Sequence, residues 1–150
     1  MSTDIERLIA IEEIKQLKAR YFRCMDTKDW PGLQAVFSDD AELDMRGEAA
    51  DKSKAATELV VGAANIMPFI RNAVLELVTV HHGHMPEITL TSETTATGIW
   101  SMEDKLRWPK GSRIREMHGY GHYRETYERL PAGWRIKSLK LTRLRVDTQP

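Results

Sequence analysis

Three histidines fall within four positions in the stretch "TVHHGHMPEITL", Thr79 to Leu90. Imidazole titrates nearest to neutral pH, so the cluster offers either metal ligation or proton transfer. The stretch reads as a β-strand, which puts His82 and His84 on one face and His81 on the other. A metal would need a third ligand, and the sequence contains neither an HExxH motif nor a cysteine cluster. No metal is expected. Acid–base chemistry asks for less: one imidazole and a carboxylate to orient it. Asp26, in "CMDTKDW", is the candidate carboxylate. Alternation does not select one histidine, although the even-numbered face, with Val78, Val80, Ile88 and Leu90, favours His82 or His84.

Two further polar residues stand in apolar rows. In "TTATGIWSMEDKLRW", Ala96, Gly98, Trp100, Met102, Asp104, Leu106 and Trp108 share one face. A carboxylate in that row needs a partner unless the strand end turns it toward solvent. Along "GWRIKSLKLTRLRV", a bulge near Ser138 would keep Leu139, Leu141 and Arg143 on the face of Trp134 and Ile136, making Arg143 a candidate partner. Otherwise Arg143 is one solvated cation among Lys137, Lys140 and Arg145. Between these strands, Met117, Gly119, Gly121, Tyr123 and Tyr127 form one face, where two glycines leave either room for a ligand or a bulge. His118 and His122 fall on the opposite face with Tyr120 and Arg124.

Helices and strands must hold these groups. Thr3 and Glu6 have the spacing of a capping box, and Ile5, Leu8, Ile9, Ile14, Leu17, Tyr21 and Met25 continue it as one apolar stripe that ends beside Asp26. Asp29 can cap a second, short helix with Pro31 in its first turn. "AELDMR" alternates, a polar turn runs from Gly47 to about Ala56, and "TELVVG" suits a returning strand. Ile66, Phe69, Ile70 and Ala73 suit a third helix, which Pro68 would break unless it lies near the start or at a kink. The histidine strand and three longer strands follow. Helices followed by a meandering sheet predict an α+β domain.

The 150 residues contain no linker composition, so one domain is expected. Twenty-two basic residues balance 22 acidic ones, which leaves no basic field for nucleic acid. Cys24 is the only cysteine, which excludes disulfides within the chain and suits a reducing compartment. No apolar run is long enough to span a bilayer, and "MSTDIERL" lacks the pattern of a secretory signal, so no membrane partner and a cytoplasmic location are expected.

"IEEIKQLKARYFRCMDTKDW" and "HHGHMPEITLTSETTATGIWSMEDKL" together resemble the bacterial bile-acid 7α-dehydratases, and the resemblance continues through "GWRIKSLKLTRLR". It is weakest between about Ala41 and Val78. Those enzymes fall in the nuclear-transport-factor-two-like superfamily, with scytalone dehydratase and SnoaL-like polyketide cyclases. The resemblance implies a single SnoaL-like domain over residues 1–150. Its fold would be cystatin-like: a cone-shaped, curved mixed sheet packed on N-terminal helices around one deep apolar pocket. It assigns catalytic roles to Tyr21, Asp26 and His81, and a polar substrate-binding pair to Asp104 and Arg143. Trp100 and Tyr123 complete the expected binding residues.

The implied activity is a cofactor-free dehydration of a steroid-like or alicyclic hydroxy-carbonyl compound. The alternatives are an isomerase or polyketide-cyclase reaction in the same pocket, or a non-catalytic carrier of a hydrophobic ligand. The expected partners are a hydrophobic small molecule and further copies of the chain. A trimer is favoured over a dimer, with the row of His118, Tyr120, His122 and Arg124 at the contact. The turn from Gly47 to Ala56 is longer than in the bile-acid enzymes and the chain stops soon after its last strand, so the pocket rim, and with it the substrate, departs from that pattern.

Overall fold

Helix α1 spans Asp4–Thr27 and begins with the capping box that its sequence predicts. Thr3 Oγ1 accepts from the Glu6 amide at 3.2 Å, while Glu6 Oε2 accepts from the Thr3 amide at 2.7 Å. The buried stripe starts later than the periodicity suggests. Ala10, Ile14, Leu17, Lys18, Tyr21, Cys24 and Met25 are buried, whereas Ile5, Leu8 and Ile9 are 70, 66 and 52 % exposed. The helical period runs on for two turns beyond the surface that covers the rest of its apolar face. At the other end, Lys28 adopts a left-handed conformation, and its amide returns to the carbonyls of Cys24 and Met25.

A computed structural model describes residues 2–49, 53 and 55–150. Helix α2 (Trp30–Gln34) is capped by Asp29, whose Oδ1 accepts from the Gly32 amide at 3.0 Å. Strand β1 (Phe37–Asp44) follows, then a two-residue return strand, β2 (Val60–Val61), which pairs antiparallel with it and is shorter than "TELVVG". The predicted turn between them lies partly outside the described residues. Helix α3 (Ala63–Val74) continues through Pro68. Pro68 stands in the second turn, so its missing amide forfeits one helical hydrogen bond, and burial of Ile66, Met67 and Ile70 holds the helix together across it.

Strands β3 (Val78–Leu90), β4 (Thr95–Arg107), β5 (Glu116–Leu130) and β6 (Gly133–Gln149) form an antiparallel meander. β1 joins it in parallel beside β6, giving a six-strand, curved, unclosed mixed sheet in the order β2-β1-β6-β5-β4-β3. The result is an α+β fold: α1 contacts β3 and β6, α3 contacts β1 and β2, and the core lies between helices and sheet. The bulge expected near Ser138 is present, between the Thr126–Ser138 and Tyr127–Ile136 pairs, and it keeps Leu139 and Leu141 buried with Ile136. No helix among the described residues is long and apolar enough to cross a membrane.

The two readings of the α1 stripe differ in a measurable way. Leu17→Ala is expected to cost about 2–5 kcal/mol in urea unfolding, as a core truncation, whereas Leu8→Ala stays within about 0.5 kcal/mol.

Candidate active site

Strand β3 is an edge strand, and its pairing with β4 decides which histidine faces inward. From Val78 to Gly83 the odd-numbered residues are the less exposed ones. The register then slips between Gly83 and Pro86, and beyond the slip Pro86, Ile88 and Leu90 take the inner side. Counting back from Ile88 and Leu90 therefore gives the wrong face for the histidines. His81 points in, and His82 is turned out beside Glu103 with a side chain 55 % exposed. His84 is exposed as well. Gly83 is glycine because the Phe22 ring packs against it: a Cβ there would sit 2.5 Å from Phe22 Cε2.

Asp26, in the last turn of α1, receives three hydrogen bonds from β3. The His81 amide donates to Oδ2 at 2.9 Å, His81 Nδ1 to Oδ1 at 2.7 Å, and the Thr79 hydroxyl to Oδ1 at 2.8 Å. Burial works to raise the Asp26 pKa, but these bonds outweigh it and hold the carboxyl below its ordinary value. A carboxylate on Nδ1 fixes the proton there and leaves Nε2 as the basic atom of the ring. Phe22 stacks on the imidazole with centroids 6.5 Å apart.

His81 lines a cavity of about 730 Å³ between the helices and the sheet. Met25, Leu43, Phe69, Leu106, Trp108 and Leu141 supply apolar wall, while Tyr21, Tyr123, Asp104 and Arg143 supply polar groups. Tyr21 lies on the buried face of α1, its ring 5.9 Å from that of Tyr123. Burial, reinforced by the charge of Glu125, pushes the Tyr21 phenol above its ordinary range, so it keeps its proton and can donate a hydrogen bond. Asp104, 3 % exposed, forms a bidentate pair with Arg143 at 2.7 and 2.9 Å. Gly119, which pairs with Asp104 across β4 and β5, leaves the space: a Cβ there would meet Arg143 Nη1 at 2.1 Å and Asp104 Oδ1 at 2.3 Å.

Six of the seven expected site residues are thus at or directly behind the cavity wall, with Asp26 behind His81. Trp100 is placed apart from this cavity. It shares the inner face of β4 with Asp104 but lies four residues, about 13 Å, along the strand. There it packs near Gly83 and donates from Nε1 to Tyr127 Oη at 2.8 Å, outside the cavity. Among the described residues no group of three His, Cys, Asp or Glu side chains is arranged to hold a metal ion.

One feature of the site was not anticipated. Lys18 and Glu125 form an ion pair with no exposure on either side chain. The Tyr127 hydroxyl donates to the other oxygen of Glu125, and Lys18 Nζ lies 3.8 Å from the Tyr21 ring centre and 3.7 Å from that of Tyr123. Burial lowers the Lys18 pKa while the Glu125 carboxylate works to raise it. The pair underpins the two tyrosines of the cavity wall. Removing one partner, as in Lys18→Met or Glu125→Leu, should cost about 3–5 kcal/mol because a buried charge is stranded. The double variant should recover most of that loss, and a thermodynamic cycle from denaturant unfolding measures the coupling.

Residues 6–140 match the model of the SnoaL-like domain family. Among solved structures, the chain is similar to a putative scytalone dehydratase from Novosphingobium aromaticivorans, at 18% identity and a TM-score of 0.85, covering 99% of this chain and 93% of that one. It is similar to a type 2 hexachlorocyclohexane dehydrochlorinase, LinA, at 18% identity and a TM-score of 0.83, covering 99% and 94%. An NTF2-like protein with a cystatin-like fold, also from Novosphingobium aromaticivorans, is 25% identical with a TM-score of 0.70, covering 93% of this chain and 85% of that one.

Proposed function

The chain belongs to the SnoaL-like domain family, and from that premise we propose that it is a cofactor-independent lyase that dehydrates a steroid-like or alicyclic hydroxy-carbonyl compound. One observation carries the proposal: a His81–Asp26 pair set into the wall of a largely apolar cavity, with the neutralised Asp104–Arg143 pair lining the same space. The cavity volume suits a small organic molecule. Two similar structures carry names for eliminations, a dehydratase and a dehydrochlorinase. The sequence resemblance to bile-acid 7α-dehydratases supplies the steroid as a probe.

In this mechanism His81 Nε2 takes a carbon-bound proton made acidic by conjugation with the carbonyl. The electron pair released from that C–H bond moves into the conjugated system. Asp26 stabilises the imidazolium that forms. Tyr21 donates a hydrogen bond to the oxygen that gains charge, the carbonyl or the departing hydroxyl. The pair of electrons then returns to form the new double bond, the C–O bond breaks, and the proton on Nε2 goes to the leaving hydroxyl as water. Asp104, Arg143 and Tyr123 orient the polar end of the substrate. An isomerase or cyclase would use the same first step and lose no water; a carrier would use none of it.

With a 7α-hydroxy-3-oxo-4-ene steroid, the product is a dienone that absorbs at longer wavelength. The wild type should generate it, and His81→Ala should be slower by about 100- to 10,000-fold. A His81→Ala variant that retains most of the activity would remove His81 from the mechanism. Turnover without loss of water, read by product mass, would replace the lyase with an isomerase.

A further inference from the structure

A lysine stands where the backbone favours glycine or asparagine. Lys28, the residue that ends α1, has φ 60° and ψ 31°. It is the one non-glycine residue with positive φ among the described residues. Glycine or asparagine would hold the same helix end with less strain, so the lysine side chain is there for something that it does.

What it does is visible at the dyad. Lys28 Nζ donates to Thr79 Oγ1 at 3.2 Å, and Thr79, 4 % exposed, donates its only hydroxyl proton to Asp26 Oδ1 at 2.8 Å. That same oxygen accepts from His81 Nδ1 at 2.7 Å. The result is a polarised chain from ammonium to hydroxyl to carboxylate, meeting the imidazole on one shared atom. Burial lowers the Lys28 pKa and the Asp26 charge partly opposes that, so the two groups interact.

The chemistry gives the chain a purpose. A carboxylate next to an imidazole favours the imidazolium, yet a general base has to be proton-free before the substrate arrives. A cation held no farther from Asp26 than two hydrogen bonds laid end to end, and a hydroxyl proton on the shared oxygen, each draw charge away from the histidine. Tyr21 from α1, Glu48 after β1, Asp104 from β4, Arg113 before β5, Tyr123 from β5 and Arg143 from β6 line the cavity that His81 faces. Among these the two charges of Asp104 and Arg143 neutralise each other in their bidentate pair.

We propose that Lys28 and Thr79 are positioning residues that act through Asp26, holding its carboxylate in place and restraining its pull on His81. The inference rests on His81 acting as the base, and its test needs no substrate. The His81 ring can be titrated by proton–carbon NMR in the wild type, Lys28→Asn and Thr79→Val, with Asp26→Asn as the control. Both variants should move the His81 midpoint up by about half a pH unit, and Asp26→Asn should move it down. Lys28→Asn should unfold at the same temperature as the wild type or higher, because asparagine accepts the left-handed conformation. With the steroid probe, the acid limb of kcat/KM should move in parallel.

Midpoints in both variants that match the wild type, while Asp26→Asn shifts, would overturn the inference and leave Lys28 and Thr79 with a packing role. Shifted midpoints without turnover of the steroid by the wild type would uphold it and count against the proposed substrate instead.

Discussion

The structure of the site depends on one carboxylate. Asp26 takes three hydrogen bonds from β3, the last strand in the sheet order, and thereby fastens the end of α1 to the edge of the sheet. An edge strand presents backbone groups that the sheet does not pair. The His81 amide is satisfied by the same residue that orients its ring. Fastening of the strand and orientation of the imidazole are therefore joined at Asp26. The capped start of α1, its left-handed stop at Lys28 and the glycine that admits Phe22 against β3 all serve to bring that carboxylate to that strand.

The cavity separates its polar groups by role. His81 and Tyr21 bring titratable atoms to the wall, while Asp104 and Arg143 satisfy each other and add directed hydrogen bonding without net charge. Beneath the tyrosines, Lys18 and Glu125 form a second neutral pair, wholly removed from solvent. Ion pairs this deep repay their desolvation only when their geometry is good and their remaining hydrogen bonds are made. Glu125 meets that condition through Tyr127. Among the described residues, the Asp104–Arg143 pair lines the cavity, and the Lys18–Glu125 pair lies against two tyrosines of its wall.

Much of this was legible in the sequence, and the parts that were not have physical reasons. Asp104 and Arg143 stood out as polar residues in apolar rows, and both rows are real. Lys18 between Ile14 and Tyr21, and Glu125 between Tyr123 and Tyr127, are the same kind of intruder. Their pairing spans 107 positions, and local pattern carries no trace of it. Alternation assigned Trp100 to the correct face but says nothing of depth along a curved sheet. It failed for His81 because the slip between Gly83 and Pro86 exchanges the faces, and the resemblance to known dehydratases named the residue instead. Ile5, Leu8 and Ile9 kept the helical period past the point where the other described residues bury it.

The central claim is that this cavity contains a base that removes a carbon-bound proton, and it is separable from the identity of the leaving group. A 3-oxo-4-ene steroid without a 7-hydroxyl cannot eliminate water, yet its C6 protons are acidified by the same conjugation. Deuterium incorporation at C6 in heavy water, followed by NMR, tests the claim most directly. The account predicts exchange with the wild type well above the buffer rate and exchange at the buffer rate with His81→Ala. Exchange at the buffer rate with wild-type protein that demonstrably binds the steroid would contradict it, and would make the cavity a container instead of a catalyst.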